Sequence, residues 1–366
     1  MKCELLEKLS AVLAQYDWRG EVLFAEPWGA GHINDTIRLR VCQGGRQIHY
    51  ILQRINTSIF PDVAALMDNI SLVTGFVRAA AIKAGSDDLS RSTLTLVPSR
   101  QGANYIRDDA GGCWRCYTFV EGAHTCDVVS SPDQCREAGR AFGKFQYLLR
   151  ELPGDRLAET IRDFHNTPRR MEKFKAVLAA DKLGRARECQ KEIAFALAHE
   201  DECGIVTAKL ANGQLPLRVT HNDTKINNVM LDDVTGQGVC VIDLDTVMPG
   251  SVLYDFGDQI RTSTSDAAED ERALGKVRFR MEFFRALLDG YLSEASAFLT
   301  DQERQMLPFS GRLLTFETGL RFLTDHLEGD VYFKTHRENH NLDRCRTQFE
   351  LVRQMEALSE QMQALV

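Results

Sequence analysis

The sequence predicts an α+β fold, a small antiparallel sheet followed by a mainly helical body, on three observations. Residues 21–119 carry short strand-like runs split by turn residues, helical periodicity dominates after Ser131, and one β-rich island at residues 217–250 interrupts the helices. At 366 residues the chain is long enough for about two domains and a sizeable core without disulfides.

The opening segment, KCELLEKLSAVLAQYDWRG, reads as an amphipathic helix, because Glu4 and Glu7 stand where a leader peptide would be basic and then apolar. EVLFAEP, INDTIRLRV and QIHYILQRI follow, the last two joined at Gly44-Gly45, and alternate as a meander does. From Pro61 the period changes: Val63, Leu66, Met67, Ile70, Val73, Thr74 and Val77 recur at helical spacing. TLTLVPS, ANYIRD and CWRCYTFV are three further strand-like runs. Beyond Glu121-Gly122, Ser131 is a good N-cap, Pro132 fits the first helical position and Gln134 completes a capping box. The helix so opened has Ala138, Ala141, Phe142, Phe145, Leu148 and Leu149 on one face. Helical periodicity returns at 168–200, 268–298 and 308–327, and no fixed repeat or low-complexity segment is visible.

Composition narrows the function. Lys plus Arg number 44 against 52 Asp plus Glu, a net charge of -8 that works against dedicated binding to nucleic acid or anionic lipid. No unbroken run of eighteen apolar residues occurs, so no membrane span and a cytoplasmic location are expected. The ten cysteines are scattered, apart from Cys113 and Cys116, and read as reduced thiols.

The chemistry is expected on the β-rich island, LRVTHNDTKINNVMLDDVTGQGVCVIDLDTVMPG. Phosphoryl transfer needs a carboxylate to orient the attacking hydroxyl and ligands that hold magnesium against phosphate. In His221-Asn222-Asp223, the aspartate is followed five residues later by Asn228, and twenty residues later by Asp243 at the end of a predicted strand. That spacing matches the H-x-D-x-x-x-x-N loop and metal-binding aspartate of protein-kinase-like enzymes. One amide and one carboxylate suit Mg²⁺, a hard cation that keeps several of its waters.

The segments GHIN, YILQRINTSIF, VTHNDTKINN, VIDLDTVMPGSVLYDFGD and RFLTDHLEGDVYF resemble the N-acetylhexosamine 1-kinases, a branch of the aminoglycoside phosphotransferase and choline kinase group. The resemblance runs over nearly the whole chain. It implies a protein-kinase-like two-lobed fold, with residues 1–119 as the nucleotide-binding lobe and 120–366 as the helical lobe that carries the catalytic loop and sugar site. It implies ATP and Mg²⁺ as cofactors, an N-acetylated hexose as acceptor, and a monomer. Asp223 would be the base facing the sugar hydroxyl, and Asn228 and Asp243 the metal ligands. His32, Thr224, Lys225, Arg321 and Tyr332 would lie against substrate. Gly29, Gly31, Gln53, Arg54 and the hinge residues Phe119 and Val120 would lie against nucleotide. Other readings stay open on the core motif alone: a kinase of choline, an aminoglycoside or another sugar, or a non-catalytic nucleotide-binding module. For individual residues, Lys225 could face solvent, His32 could be a backbone-bonded turn residue, and Arg321 could pair with Glu317 or Asp325 four residues away.

Two departures and four decoys qualify the motif. Asn34 replaces the third glycine of a G-x-G-x-x-G turn, and Gln53 falls where a third-strand lysine is expected, with Arg54 beside it. No glutamate stands on the following helix to pair with a cation there, although Asp68 lies midway along it. Asp255-Phe256-Gly257 lies too far beyond Asp223 to be the metal motif, so Asp255 is expected to hold the catalytic loop. GRAFGK, at 139–144, has the wrong glycine spacing for a P-loop; Cys113 and Cys116 lack a second pair; and HRENH, with His336 and His340 read as surface residues, is not a zinc-hydrolase motif.

Overall fold

The computed structural model describes residues 2–29 and 33–366. Its sheet-rich part comprises helix α1 (Lys2–Leu13), strands β1 (Glu21–Pro27), β2 (Asp35–Gln43) and β3 (Arg46–Ile55), helix α2 (Val63–Lys83), and strands β4 (Ile106–Arg107) and β5 (Cys113–Thr118). The five strands form one antiparallel sheet in the order β1-β2-β3-β5-β4. Side chains alternate faces along a strand, and the two faces of this sheet have different neighbours. Leu39, Tyr50, Leu52, Trp114 and Cys116 pack with Leu9, Val12, Leu13, Tyr16 and Trp18 around α1. Ile51, Ile55, Cys113 and Tyr117 face the buried stripe of α2, including Leu66, Ile70 and Val73.

By length and composition α2 is apolar enough to cross a membrane. Its stripe is instead core, and it opens with Asp62 capping the Ala65 N–H at 3.0 Å. The TLTLVPS run does not become a strand. It makes single bridges, Leu96 to Tyr117 and Ser99 to Tyr16, because Pro98 lacks an N–H and the chain turns at Gly102 with φ +81°.

The helical part comprises α3 (Pro132–Leu149), α4 (Thr167–Ala180), α5 (Gln190–Ala198), α6 (Ile205–Ala211), α7 (Val252–Ser263), α8 (Met281–Ala295), α9 (Asp301–Gln305), α10 (Leu307–Glu328), α11 (His340–Ala357) and α12 (Ser359–Gln363). The run at 268–298 is helical only from Met281; its first part is loop with one 3₁₀ turn at Leu274–Lys276. Ser131 caps α3 as expected, accepting the Gln134 N–H at 3.3 Å. Gln134 reaches back one residue further than a capping box does, taking the Ser130 N–H at 2.8 Å.

GRAFGK lies inside α3, where its glycines serve packing. A Cβ on Gly139 would stand 2.3 Å from the Leu287 carbonyl oxygen, one on Gly143 2.7 Å from that of Tyr291, and one on Gly290 of α8 2.0 Å from that of Arg136. The α3 and α8 backbones therefore touch where no larger residue fits. Gly290→Ala is expected to cost about 1 to 3 kcal/mol, the usual price of overpacking. Gly75→Ala, in α2 with nothing within 4 Å of the new methyl, should be neutral or gain up to about 1 kcal/mol. Urea midpoints of the two variants check the contrast.

Between the helices, β7 (Arg218–Thr220) pairs with β10 (Met248–Gly250), and β8 (Val229–Asp232) pairs with both β6 (Ala123–His124) and β9 (Gly238–Val241). These short ladders fix both ends of the 221–228 loop and end β9 just before Asp243. Cys113 and Cys116, three apart on β5, fall into the cores on opposite faces of the sheet, so they cannot converge on a metal. His340 is buried rather than on the surface, with Nε2 3.0 Å from Asp270; only His336 is exposed.

Candidate active site

The 221–228 loop is held from below by α7. Asp255, fully buried, accepts the backbone N–H groups of His221 at 2.9 Å and Asn222 at 2.7 Å, and the Gln146 amide at 2.6 Å. This is the loop-holding role expected for it. His221 is also fully buried, edge-on to Phe142 and Phe145, with Nε2 2.9 Å from the Ile242 carbonyl oxygen. A carbonyl only accepts, so Nε2 carries the proton, leaving Nδ1 to accept the Asp223 N–H at 3.3 Å. Asn222 adopts φ +66°, a left-handed conformation that Asn tolerates, and its amide bonds the Thr246 carbonyl at 2.8 Å.

These contacts leave the Asp223 side chain 26% exposed at the cleft. Its Oδ2 stands 3.1 Å from Lys225 Nζ and accepts from Asn228 Nδ2 at 3.2 Å. Burial would lower the Lys225 pKa, but the Asp223 and Asp258 carboxylates outweigh it and hold the ammonium charged. Lys225 thus turns toward the site. Thr224 does not: it is fully buried, its hydroxyl donates to the Asp255 carbonyl at 2.6 Å and its N–H to Asp258 at 2.9 Å. The expected substrate contact at Thr224 is corrected to a structural tie.

Asp243 follows β9 with φ +60°. Burial, then the neighbouring Asp245 and Asp223 carboxylates, raise its pKa to about 6. Among the described residues no group of three or more His, Cys, Asp or Glu side chains is arranged to hold a metal. Asn228 and Asp243 still fit Mg²⁺, which takes one or two protein oxygens and completes its shell with water and phosphate. The crowding of carboxylates at Asp243 is the electrostatic condition that a cation relieves.

The third strand does not present the expected cation to the cleft. Gln53 does face the cleft, on the Ile51 and Ile55 face of β3, but Arg54 points to the α1 face and lies exposed near Asp108 and Gly112. A one-residue step along a strand reverses the face, and this takes Arg54 off the face that carries Gln53, against the expectation. Directly across the ladder from Gln53 is Arg115 on β5. It is 1% exposed, donates from Nε to Gln53 at 3.0 Å and pairs through Nη1 with Asp245 at 2.5 Å. Asp245 in turn accepts from Asn34 Nδ2 at 2.6 Å. A polar chain, Gln53, Arg115, Asp245, Asn34, so runs across the cleft. Asp68 is exposed and takes no part in it; α2 instead presents Asn69, whose amide donates to the carbonyls of Ala158 at 2.8 Å and Val247 at 3.0 Å and accepts the Ala158 N–H at 2.9 Å.

Of the remaining residues expected against nucleotide or substrate, Gly29 is exposed at φ +76°, while Gly31 and His32 lie outside the described residues. Phe119 donates its N–H to the His49 carbonyl at 3.2 Å and packs edge-on to Trp28 and His49, and Val120 is buried.

On the opposite wall, α4 and α10 run side by side, tied by Thr167 to Glu317 at 2.6 Å and Lys173 to Glu328 at 2.7 Å. Arg170 and Arg321 lie between these ties. Arg321 pairs with neither Glu317, which His165 and Thr167 hold, nor Asp325, which accepts the N–H groups of Val331, Tyr332 and Phe333. Its guanidinium instead lies 5.9 Å from the Tyr332 ring and 5.4 Å from that of Phe333. Arg170 donates to the Phe164 carbonyl at 3.1 Å and has a buried Nε without a partner. Burial, then the nearby Arg321, lower its pKa. Neither arginine has a carboxylate within ion-pair distance among the described residues.

A five-stranded antiparallel sheet over a helical body, with Asp223, Asn228 and Asp243 on the loops that join the short ladders, defines the protein-kinase-like class of phosphotransferases. The sequence model of the phosphotransferase enzyme family matches residues 25–298, and the chain belongs to that family. Among solved structures it is similar to the microcompartment-associated aminopropanol kinase, at 17% identity and TM-score 0.60 over 98% of each chain. It is also similar to a spectinomycin phosphotransferase in complex with ADP and spectinomycin, at 12% identity and TM-score 0.56 over 97% of this chain and 98% of that one. An aminoglycoside phosphotransferase from Alicyclobacillus acidocaldarius gives 15% and 0.56 over 97% and 96%. At these identities the likeness is one of fold.

Proposed function

We propose that the protein transfers the γ-phosphoryl group of ATP to the anomeric hydroxyl of N-acetylglucosamine or N-acetylgalactosamine, giving the sugar 1-phosphate. The observation that carries this reading is the Arg170, Arg321 and Tyr332 wall. Two guanidiniums with no carboxylate within ion-pair distance, the nearby Glu317 being engaged by His165 and Thr167, suit a neutral, oxygen-rich acceptor better than the ammonium of choline, an aminopropanol or an aminoglycoside. Asp223 orients the hydroxyl and takes its proton as the new bond forms. Lys225, paired with Asp223 at 3.1 Å, lies where phosphate charge develops. Asn228 and Asp243 would hold Mg²⁺, which supplies charge neutralisation of the phosphates when bound. Gln53, Gly29, Phe119 and Val120 form the nucleotide side, residues 1–119, and residues 120–366 the acceptor side; a cytoplasmic location and a monomer go with this reading.

ADP release across N-acetylglucosamine, N-acetylgalactosamine, glucose, choline and kanamycin, with phosphorus NMR of the product, tests it. Turnover is expected with the N-acetylated sugars only. Arg321→Ala should raise KM for the sugar about tenfold, the loss of one charged hydrogen bond, and leave KM for ATP in place. Preferred turnover of choline or kanamycin overturns the sugar assignment.

A further inference from the structure

His165 stands between the catalytic loop and α10, its side chain 8% exposed. The ring packs against Phe164 at 4.7 Å and Tyr254 at 5.2 Å, and both nitrogens are engaged. Nε2 lies 3.1 Å from the Asn222 carbonyl oxygen, and Nδ1 lies 2.9 Å from Glu317 Oε1. A carbonyl can only accept, so Nε2 carries a proton. The second Glu317 oxygen accepts the Thr167 hydroxyl at 2.6 Å, which suits a carboxylate, and a carboxylate 2.9 Å from Nδ1 suits a proton there as well. The geometry is that of a buried imidazolium and carboxylate pair. Burial opposes charge on both partners, yet the pairing outweighs it, raising the His165 pKa and lowering that of Glu317.

The peptide unit gripped in this way is the one that enters Asp223. Its carbonyl oxygen, on Asn222, is held by His165, and its N–H, on Asp223, is held by His221 Nδ1 at 3.3 Å. Both ends are fixed at a residue whose φ of +66° is a minority conformation. The same Glu317 that charges His165 lies one turn before Arg321 on α10.

We propose that His165, charged by Glu317, is a positioning residue that clamps the 222–223 peptide so that the Asp223 carboxylate meets the acceptor hydroxyl, and that it ties this orientation to the acceptor wall on α10. The inference rests on Asp223 as the base and not on which acceptor is used.

His165→Phe keeps the ring packing and loses both bonds; His165→Gln keeps an N–H able to reach the Asn222 carbonyl. With the acceptor that the wild-type protein turns over best, His165→Phe is expected to lower kcat at least tenfold while KM for ATP changes less than twofold. His165→Gln should recover part of that loss. Amide hydrogen exchange across residues 221–228, which needs no acceptor, should speed up in His165→Phe and return toward wild type in His165→Gln. A kcat within twofold of wild type in His165→Phe, unchanged exchange in that loop, or no recovery with His165→Gln overturns the proposal. Failure of the sugar assignment changes only the acceptor used, so the two outcomes are separable. Should His165→Phe not fold, Glu317→Gln replaces it: His165 then has only an uncharged Nε2–H for the Asn222 carbonyl, so exchange across residues 221–228 is expected to speed up, and exchange unchanged from wild type in that variant overturns the proposal.

Discussion

Asp223→Asn is expected to lower kcat by a factor of about 10² to 10⁴, or about 3 to 5 kcal/mol of barrier, with nucleotide affinity unchanged. The separation follows from the contacts. An asparagine at this position keeps an oxygen for the Lys225 ammonium and for the Asn228 amide, which now reach Asp223 Oδ2 at 3.1 and 3.2 Å, and its backbone stays held by His221. What it loses is the ability to take the proton of the attacking hydroxyl. Single-turnover ADP formation gives the barrier, calorimetric titration with ADP gives the affinity, and the thermal midpoint shows the fold intact. Near-native turnover in Asp223→Asn would remove Asp223 from the role of base.

The largest effect on stability is expected at Arg115. Its guanidinium and the Asp245 carboxylate are both almost wholly excluded from water, 1% and 4% exposed. Burial alone would lower the Arg115 pKa, and the Asp245 carboxylate more than reverses that. Arg115→Met leaves Asp245 buried with only the Asn34 amide, and strips Gln53 of its donor. Removing one partner of a buried pair costs about 3 to 5 kcal/mol, mostly from the charge left behind. Arg115→Lys should recover only part, because a single ammonium cannot span Gln53 and Asp245 as the fork of a guanidinium does. The double variant Arg115→Met, Asp245→Asn should recover most, because no charge is then stranded. Urea unfolding of the three variants provides the test; a loss under about 1 kcal/mol for Arg115→Met would mean that the pair is wet and dispensable.

How much of this was legible in the sequence depended on distance along the chain. The loop from His221 to Asn228, Asp243 after its strand, and Ser131 at the head of α3 are local patterns, and each stands where its spacing placed it. Arg115 was invisible because its importance comes from lying opposite Gln53, a pairing between strands 62 residues apart. Arg54 was misread because the face of a strand residue depends on register, which composition does not reveal. Thr224 was given to substrate because its neighbours are functional, although its hydroxyl closes back on α7. His165 and Arg170 carry no motif. They matter only because α4 lies beside α10, and nothing in residues 160–180 announces that neighbour.

Asn69 has a consequence for control. In protein kinases the equivalent helix swings, and activity follows whether its glutamate meets the third-strand lysine. Here α2 is fastened by an uncharged amide to main-chain groups of Ala158 and Val247, on the far side of the cleft. Main-chain groups do not change charge state, and a neutral amide offers an added phosphate nothing to attract or repel. A helix pinned in this manner is a strut, tied across the cleft by contacts that neither a pH change nor an added charge acts on directly.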